Sequence, residues 1–290
     1  MHLPRHPGQA GIGLRLPHLA EVTATRPTVE WVEIHAENFL ANPHARELLT
    51  QVAARYPISI HTVGVCIGSA DGVDRAHLDR VRALVAALNP FLVSGHLAWS
   101  THLGVYLNDL LPLPYDDATL CLVTNHLDEV QNLLGRPYFV ENPSSYVAFD
   151  SSTMTEPQFL SELVRRSGFR LLCDVSNIYL SAHNMGFDAY AYIDALPTHA
   201  VGELHLGGFT REDDETRPGT MVLIDTHATG ITEPVWELYA HVVRRFGWQP
   251  TLIEWDNDLP SFAAILAEAA QADRVAIDAL IPEARRAGAR

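Results

Sequence analysis

Short apolar runs recur along this chain, each after the first carrying histidine, aspartate or glutamate at or near its end, with longer segments of helical spacing between them. The runs are Gly11–Arg15 (GIGLR), Trp31–His35 (WVEIH), Ile58–Val63 (ISIHTV), Phe91–Trp99 (FLVSGHLAW), Tyr138–Asn142 (YFVEN), Arg170–Asp174 (RLLCD), Val201–Leu206 (VGELHL) and Thr251–Trp255 (TLIEW). Runs of this length suit strands buried on both faces. Leu48, Leu49 and Val52 mark a helix over Pro43–Arg55, with Asn42 as its cap. Leu78, Val81, Val85 and Leu88 mark another over Asp74–Leu88. A long helix from about Asp116 to Leu134 stops at Gly135. Glu156–Arg166 follows Thr155, carries Pro157 in its first turn and ends before Gly168. Phe187–Leu196, Pro234–Phe246 and Ser261–Ile281 complete the helices. Pro17 and Pro27 bracket a weakly helical region, Leu111–Pro114 and Arg211–Arg217 read as loops, and the residues after Ile281 read as a frayed end.

Eight strands, each followed by a helix or long loop, predict an α/β protein: one (β/α)8 TIM barrel as a single domain over residues 1–290, the barrel itself spanning about 11–281. An open doubly wound sheet would place a GxGxxG phosphate loop after the first strand, and GIGLRLPH is not one. The chain has 290 residues, close to the roughly 250 of a typical barrel, so length alone demands no second domain.

Charge and cysteine usage narrow the partners. A net charge of −15 argues against nucleic acid and anionic membranes, both of which want basic patches. No run of apolar residues is long enough for a membrane span, and the opening MHLPRHPGQAGIG lacks the apolar core of a secretory signal. Cys66, Cys121 and Cys173 show no CxxC spacing, and their apolar neighbours predict buried thiols in a reducing cytoplasm.

Barrel chemistry sits at the C-terminal ends of the strands. Those ends present Glu33, His35 and Glu37, then His61, His96, Glu141 with Asn142, Asp174 with Asn177, His205, and Glu254 with Asp256. The loop after the seventh strand adds Asp225 and His227. Singly, each has an ordinary reading. A strand histidine is more often a hydrogen-bonded core residue than a ligand, Glu254 could pair with Arg15, and Glu33 and Glu37 could be rim charges. Jointly, so many carboxylates in one mouth would repel strongly unless cations met them. Only Arg15 and Arg170 lie in strands, so bound metal is the better compensation. Histidine and carboxylate donors without thiolate suit Fe, Mn or Zn, and their number exceeds the needs of one ion. No GxSxG, HExxH or P-loop is present, and Ser144 and Ser145 have no evident base.

The ordered set GIGLR, EIHAENF, HTVGVCIGS, SGHLAWS, ENPSSY, LLCDVSNIYLSAHNMGFD, ELHLGGF, IDTHATGITEPVWELY and LIEWDND resembles the multinuclear non-heme iron-dependent oxidative enzymes, the family of the methanobactin-biosynthesis oxidase. The resemblance runs from Gly11 to Asp258. It implies a TIM barrel with two or three irons, mixed-valent, at its mouth and O2 as co-substrate. It also implies a ribosomally made precursor peptide as substrate, often modified at cysteine, and a separate partner protein that presents it. Carried over by motif, His61, His96, Glu141, Asp174, His205 and Glu254 hold iron, and Asn177, Asp225 and His227 serve an additional ion. Glu141 and Glu254 are candidate bridges. Glu33 and Asn142 would orient the histidines, with His35, Glu37 and His183 near the ligands or substrate. Met185 departs from the histidine or polar residue expected in this motif.

Two other classes use similar residues. A Zn or Mn sugar-isomerase-like or endonuclease-like barrel would need no O2, although the acidic charge speaks against the endonuclease. A non-catalytic metal-binding or peptide-presenting protein would lack open coordination positions. The barrel fold alone does not choose among them.

Overall fold

A computed structural model describes residues 10–214 and 217–281. The N-terminal stretch read for a signal and the end read as frayed lie outside these, apart from Ala10–Gly13. The strands are β1 (Gly11–Gly13), β2 (Val32–His35), β3 (Ile58–Thr62), β4 (Leu92–His96), β5 (Trp99–His102), β6 (Val105–Leu111), β7 (Phe139–Glu141), β8 (Arg170–Asp174), β9 (Val201–Gly207), β10 (Thr210–Asp213), β11 (Met221–Ile224) and β12 (Thr251–Glu254). The helices are α1 (Leu16–Thr25), α2 (Glu37–Leu40), α3 (Pro43–Ala53), α4 (Arg75–Leu88), α5 (Asp117–Leu134), α6 (Glu156–Ser167), α7 (Val175–Met185), α8 (Ala189–Ala195), α9 (Glu233–Phe246) and α10 (Phe262–Leu280).

Eight strands close into a parallel barrel in the order β1-β12-β9-β8-β7-β4-β3-β2, as the sequence predicts. Period-two alternation divides each strand between two environments. Val32, Ile34, Ile58, Ile60, Val93, Val140, Leu171, Leu204, Leu206 and Ile253 join the core shared with the helices. The alternate residues line the barrel interior. At its N-terminal end Leu92, Phe139 and Leu172 pack with Phe91 as a separate apolar cluster. Trp31 meets Phe91 edge to face at 5.1 Å. Gly11 leaves room for that indole, since a Cβ there would lie 2.3 Å from it.

Several features differ from the sequence expectation. Leu16–Thr25 is a full helix, because Pro17 sits in its first turn, where its missing N–H costs nothing. The fourth barrel strand stops at His96, and Trp99–His102 pairs with Val105–Leu111 as an antiparallel hairpin. The segment read as the charged loop Arg211–Arg217 instead contributes β10, paired antiparallel with β11. Both hairpins project from the end of the barrel where the βα connections run. Helix α7 begins directly at Asp174, whose Oδ1 caps it by accepting from the Asn177 N–H at 2.7 Å. Cys66 and Cys173 are buried free thiols as expected, whereas Cys121 is exposed on α5.

Candidate metal centre

Strand periodicity brings the polar strand ends together. His61 and His96 turn their Nε2 atoms to within 3.1 Å of each other. Glu141 Oε2 lies 3.5 Å from each of them. His61 Nδ1 is 2.9 Å from Ser94 Oγ. Donation from Nδ1 to that hydroxyl leaves Nε2 with its lone pair facing the mouth. Burial lowers both imidazoles, His96 to about 4, so both are neutral near pH 7. Ser94→Ala is therefore expected to leave the barrel folded and weaken metal binding about 10- to 100-fold, read by metal titration. Unchanged affinity would show that Ser94 does not fix the His61 tautomer.

Two further groups adjoin the first. Glu141, Asp174 and His205 offer atoms within 4.8 Å of one another, as do Asp174, His227 and Glu254. Glu141 belongs to the first and second groups and Asp174 to the second and third. Asp174 can serve two because α7 uses only Oδ1, while Oδ2 has no hydrogen-bond partner. Asn142 fixes the end of β8, donating to the Asp174 carbonyl and accepting from its N–H, both at 3.0 Å. Asn177 donates to Glu141 Oε1 at 3.2 Å, and its own Oδ1 is buried without a partner.

His205 bridges two layers of the interior. Its Nδ1 lies 3.1 Å from Glu254 Oε2, and its Nε2 lies 3.3 Å from Glu33 Oε1 and 3.8 Å from Glu203 Oε1. Burial opposes its charge, but Glu33 and Glu254 outweigh burial and hold the imidazole well above its ordinary value. Glu203 is completely buried, and burial followed by Glu33 raises it to about 8. Sequence reading missed Glu203. The available signal was its place two residues before His205, which strand alternation puts on the same face.

His227 enters from the loop after β11 with φ of 46°, a left-handed backbone uncommon outside glycine. Three backbone bonds fix it: its N–H to Gly208 O at 3.0 Å, and its carbonyl accepting from Asp256 and Asn257. Gly207 is required beneath it, since a Cβ there would lie 2.5 Å from the imidazole. His227 Nε2 and Asp225 Oδ1 form an ion pair at 2.8 Å. Burial opposes the charge on this imidazole, but Asp225 and Glu254 outweigh it and hold His227 well above its ordinary value.

Arg15, between β1 and α1, meets the carboxylates, donating to Glu254 Oε1 at 3.0 Å and also to Asp256. The ordinary pairing foreseen for Glu254 therefore exists, while Oε2 still faces His205. His227 and His205 overcome burial and hold Glu254 well below the ordinary carboxylate range. Arg15 does not reach Glu141, Asp174 or Asp225 through any ion pair among the described residues. The buried unpartnered atoms include Glu141 Oε2, Asp174 Oδ2, Asn177 Oδ1, Asp225 Oδ1, His205 Nε2 and His227 Nε2. These hard oxygen and imidazole donors fit divalent first-row metal ions.

Two expected neighbours lie elsewhere. Glu37 accepts from the N–H groups of Val63 and Gly64 and from His77, which ties down the loop after β3. His183 is exposed on α7, 3.1 Å from the Met221 carbonyl. His35 remains at the mouth, 3.4 Å from Glu254 Oε1.

This site marks the chain as a (β/α)8 protein with a histidine–carboxylate mouth, and sequence comparison places it more closely. The sequence model of the RiPP precursor modification enzymes MbnB/TglH/ChrH matches residues 9–277, and the chain belongs to that family. A UPF0276 protein of Vibrio vulnificus is 46% identical over 269 residues, covering 92% of this chain and 91% of that protein. One from Chromobacterium violaceum is 44% identical over 275 residues, covering 95% and 97%. Among solved structures, a xylose isomerase-like TIM barrel protein from Mycobacterium smegmatis in complex with magnesium superposes with a TM-score of 0.61 at 12% identity, covering 96% of this chain and all of that one. Endonuclease IV from Thermus thermophilus superposes with a TM-score of 0.58 at 17% identity, covering 93% and 99%. At such identities the likeness concerns the fold.

Proposed function

We propose that this protein is a multinuclear non-heme iron oxidase that uses O2 to modify residues, cysteine among them, of a ribosomally made precursor peptide. The observation that carries this reading is the chain of three adjoining donor groups linked through Glu141 and Asp174. His61, His96 and Glu141 would hold one ion, and Glu141, Asp174, His205 and Glu254 a second. Asn177, Asp225 and His227 would serve a third, with Asp174 shared between it and the second. Bound there, iron supplies redox chemistry toward O2. The chain's own work is to hold the neutral imidazoles of His61 and His96 facing inward, to keep Asp174 Oδ2 free of other bonds, and to fix Glu254 against Arg15. In this reading a separate protein presents the peptide in the cytoplasm, and membranes and nucleic acids are not partners. Among the described residues no helix is long and apolar enough to cross a membrane.

The test is metal analysis of protein purified without oxygen, with Mössbauer spectroscopy on iron-57-grown material. Two or three irons per chain with coupled ferrous–ferric signals are the expected result. His96→Ala should lower iron content and abolish peptide oxidation. Stoichiometric zinc or manganese, with no iron taken up on reconstitution, would overturn the oxidase in favour of an isomerase-like enzyme.

A further inference from the structure

A cleft of about 430 Å³ lies beside the mouth, outside the ligand groups. Its walls include Val147 and Phe149 from the loop after β7, Phe187 before α8, and Ala191 on α8. Val147 is 56% exposed, Phe149 39% and Phe187 37%, so these apolar side chains face solvent beside one another. The loop after β7 joins the cleft to the mouth. It leaves Glu141 and Asn142 among the candidate ligands, its Tyr146 hydroxyl accepts from the Asp225 N–H at 2.9 Å, and its next residues turn into the cleft.

The chemistry of the lining is one-sided. Its charged residues are Glu156 and Asp188, both acids, and no base lines it. Glu156 sits close to the hydroxyls of Tyr115 and Tyr192, yet its Oε1 has no aligned partner among the described residues. Burial pushes this carboxyl up to about 7, as expected of an acid that no cation of the protein compensates. Asp188 uses Oδ1 to cap α8, accepting from Tyr190 and Ala191. Its Oδ2 is not part of that cap.

We infer that this cleft binds a lysine or arginine side chain of the precursor peptide, beside the residue that enters the mouth. Its aliphatic stem packs on Val147, Phe149 and Phe187, and its charge meets Glu156 and Asp188. A long basic side chain joins an apolar stem to a charged head, which is the combination these walls and acids present. The aromatic faces add attraction for the cation. The inference rests on the peptide-modifying reading above and assigns the recognition of a residue near the modified one.

The experiment is panning of a phage-displayed library of random 12-residue peptides on the full-length protein. Affinities of the selected peptides, made synthetically with a fluorescent label, are then measured for wild type, Glu156→Gln and Ala191→Trp. Ala191 is exposed, so the tryptophan fills the cleft without entering the core. Enriched peptides are expected to share a basic residue, and both variants should weaken binding about tenfold or more, the scale of a lost charge-assisted contact. Peptides without a basic residue, or peptides that bind Ala191→Trp as tightly as wild type, would overturn the cleft and leave the peptide reading standing. Enrichment of no peptide overturns this assignment alone, because the oxidase reading is judged on iron content and peptide oxidation.

Discussion

Asp174→Asn is expected to leave the barrel folded while removing at least one iron from each chain. Asparagine caps helices about as well as aspartate, so its side-chain oxygen can still accept from the Asn177 N–H and α7 keeps its start. The other oxygen, Oδ2, becomes an amide nitrogen with no lone pair to offer. Because Asp174 belongs to two adjoining donor groups, both lose a donor in one substitution. Changing a group that merely orients a ligand costs about 10- to 100-fold in metal affinity or activity, and loss of a shared ligand should cost at least the upper figure. Metal analysis, a thermal melt and a peptide-oxidation assay on the same sample separate the effects. Wild-type iron content in a normally folded variant would sink the shared role.

Metal binding should also raise the melting temperature, more at pH 8 than at pH 6. Without an ion, burial and then Asp225 raise Asp174 to about 7, and burial and then Glu33 raise Glu203 to about 8. Unfolded, such groups titrate near 4. Below about pH 4 both states are protonated and these carboxyls contribute nothing. From there to about 7 for Asp174 and about 8 for Glu203, the folded state binds more protons than the unfolded one, so metal-free stability falls as pH rises. An ion held by Asp174 needs that carboxylate ionised and displaces its proton, so its affinity climbs as pH rises to about 7 and beyond. Free metal at about 1,000 times Kd stabilises by about 4 kcal/mol. For a chain of this size that corresponds to roughly 8 °C. Anaerobic scanning fluorimetry with Fe2+, and again after chelation, reads the shift. No shift, or a larger one at pH 6, would count against the centre.

Much of this molecule was legible in its sequence, and the omissions have local causes. The eight barrel strands were readable because apolar runs buried on both faces contrast sharply with amphipathic helices. The polar strand ends were readable because ionisable residues are costly in such runs. Helix α7 was hidden because Asp174 is at once the last residue of β8 and the helix cap, leaving no connecting loop to mark the change. The hairpin strand Val105–Leu111 was hidden because its residues are exposed or half-buried, so no buried stripe imposes period two. Pro17 was misleading because proline opens helices as readily as it bounds them. Glu203 was missed because its neighbours Glu33 and Ser59 come from distant strands, Ser59 Oγ donating at 2.8 Å to Glu33 and approaching Glu203 at 3.5 Å.

The plug of Trp31, Phe91, Leu92, Phe139 and Leu172 at the N-terminal end of the barrel has a consequence for traffic. The barrel is closed at that end, so nothing passes through it. On the proposed function, a peptide would reach the polar strand ends only from the side of the βα connections and would leave by the same side, so that successive modifications would require repeated docking.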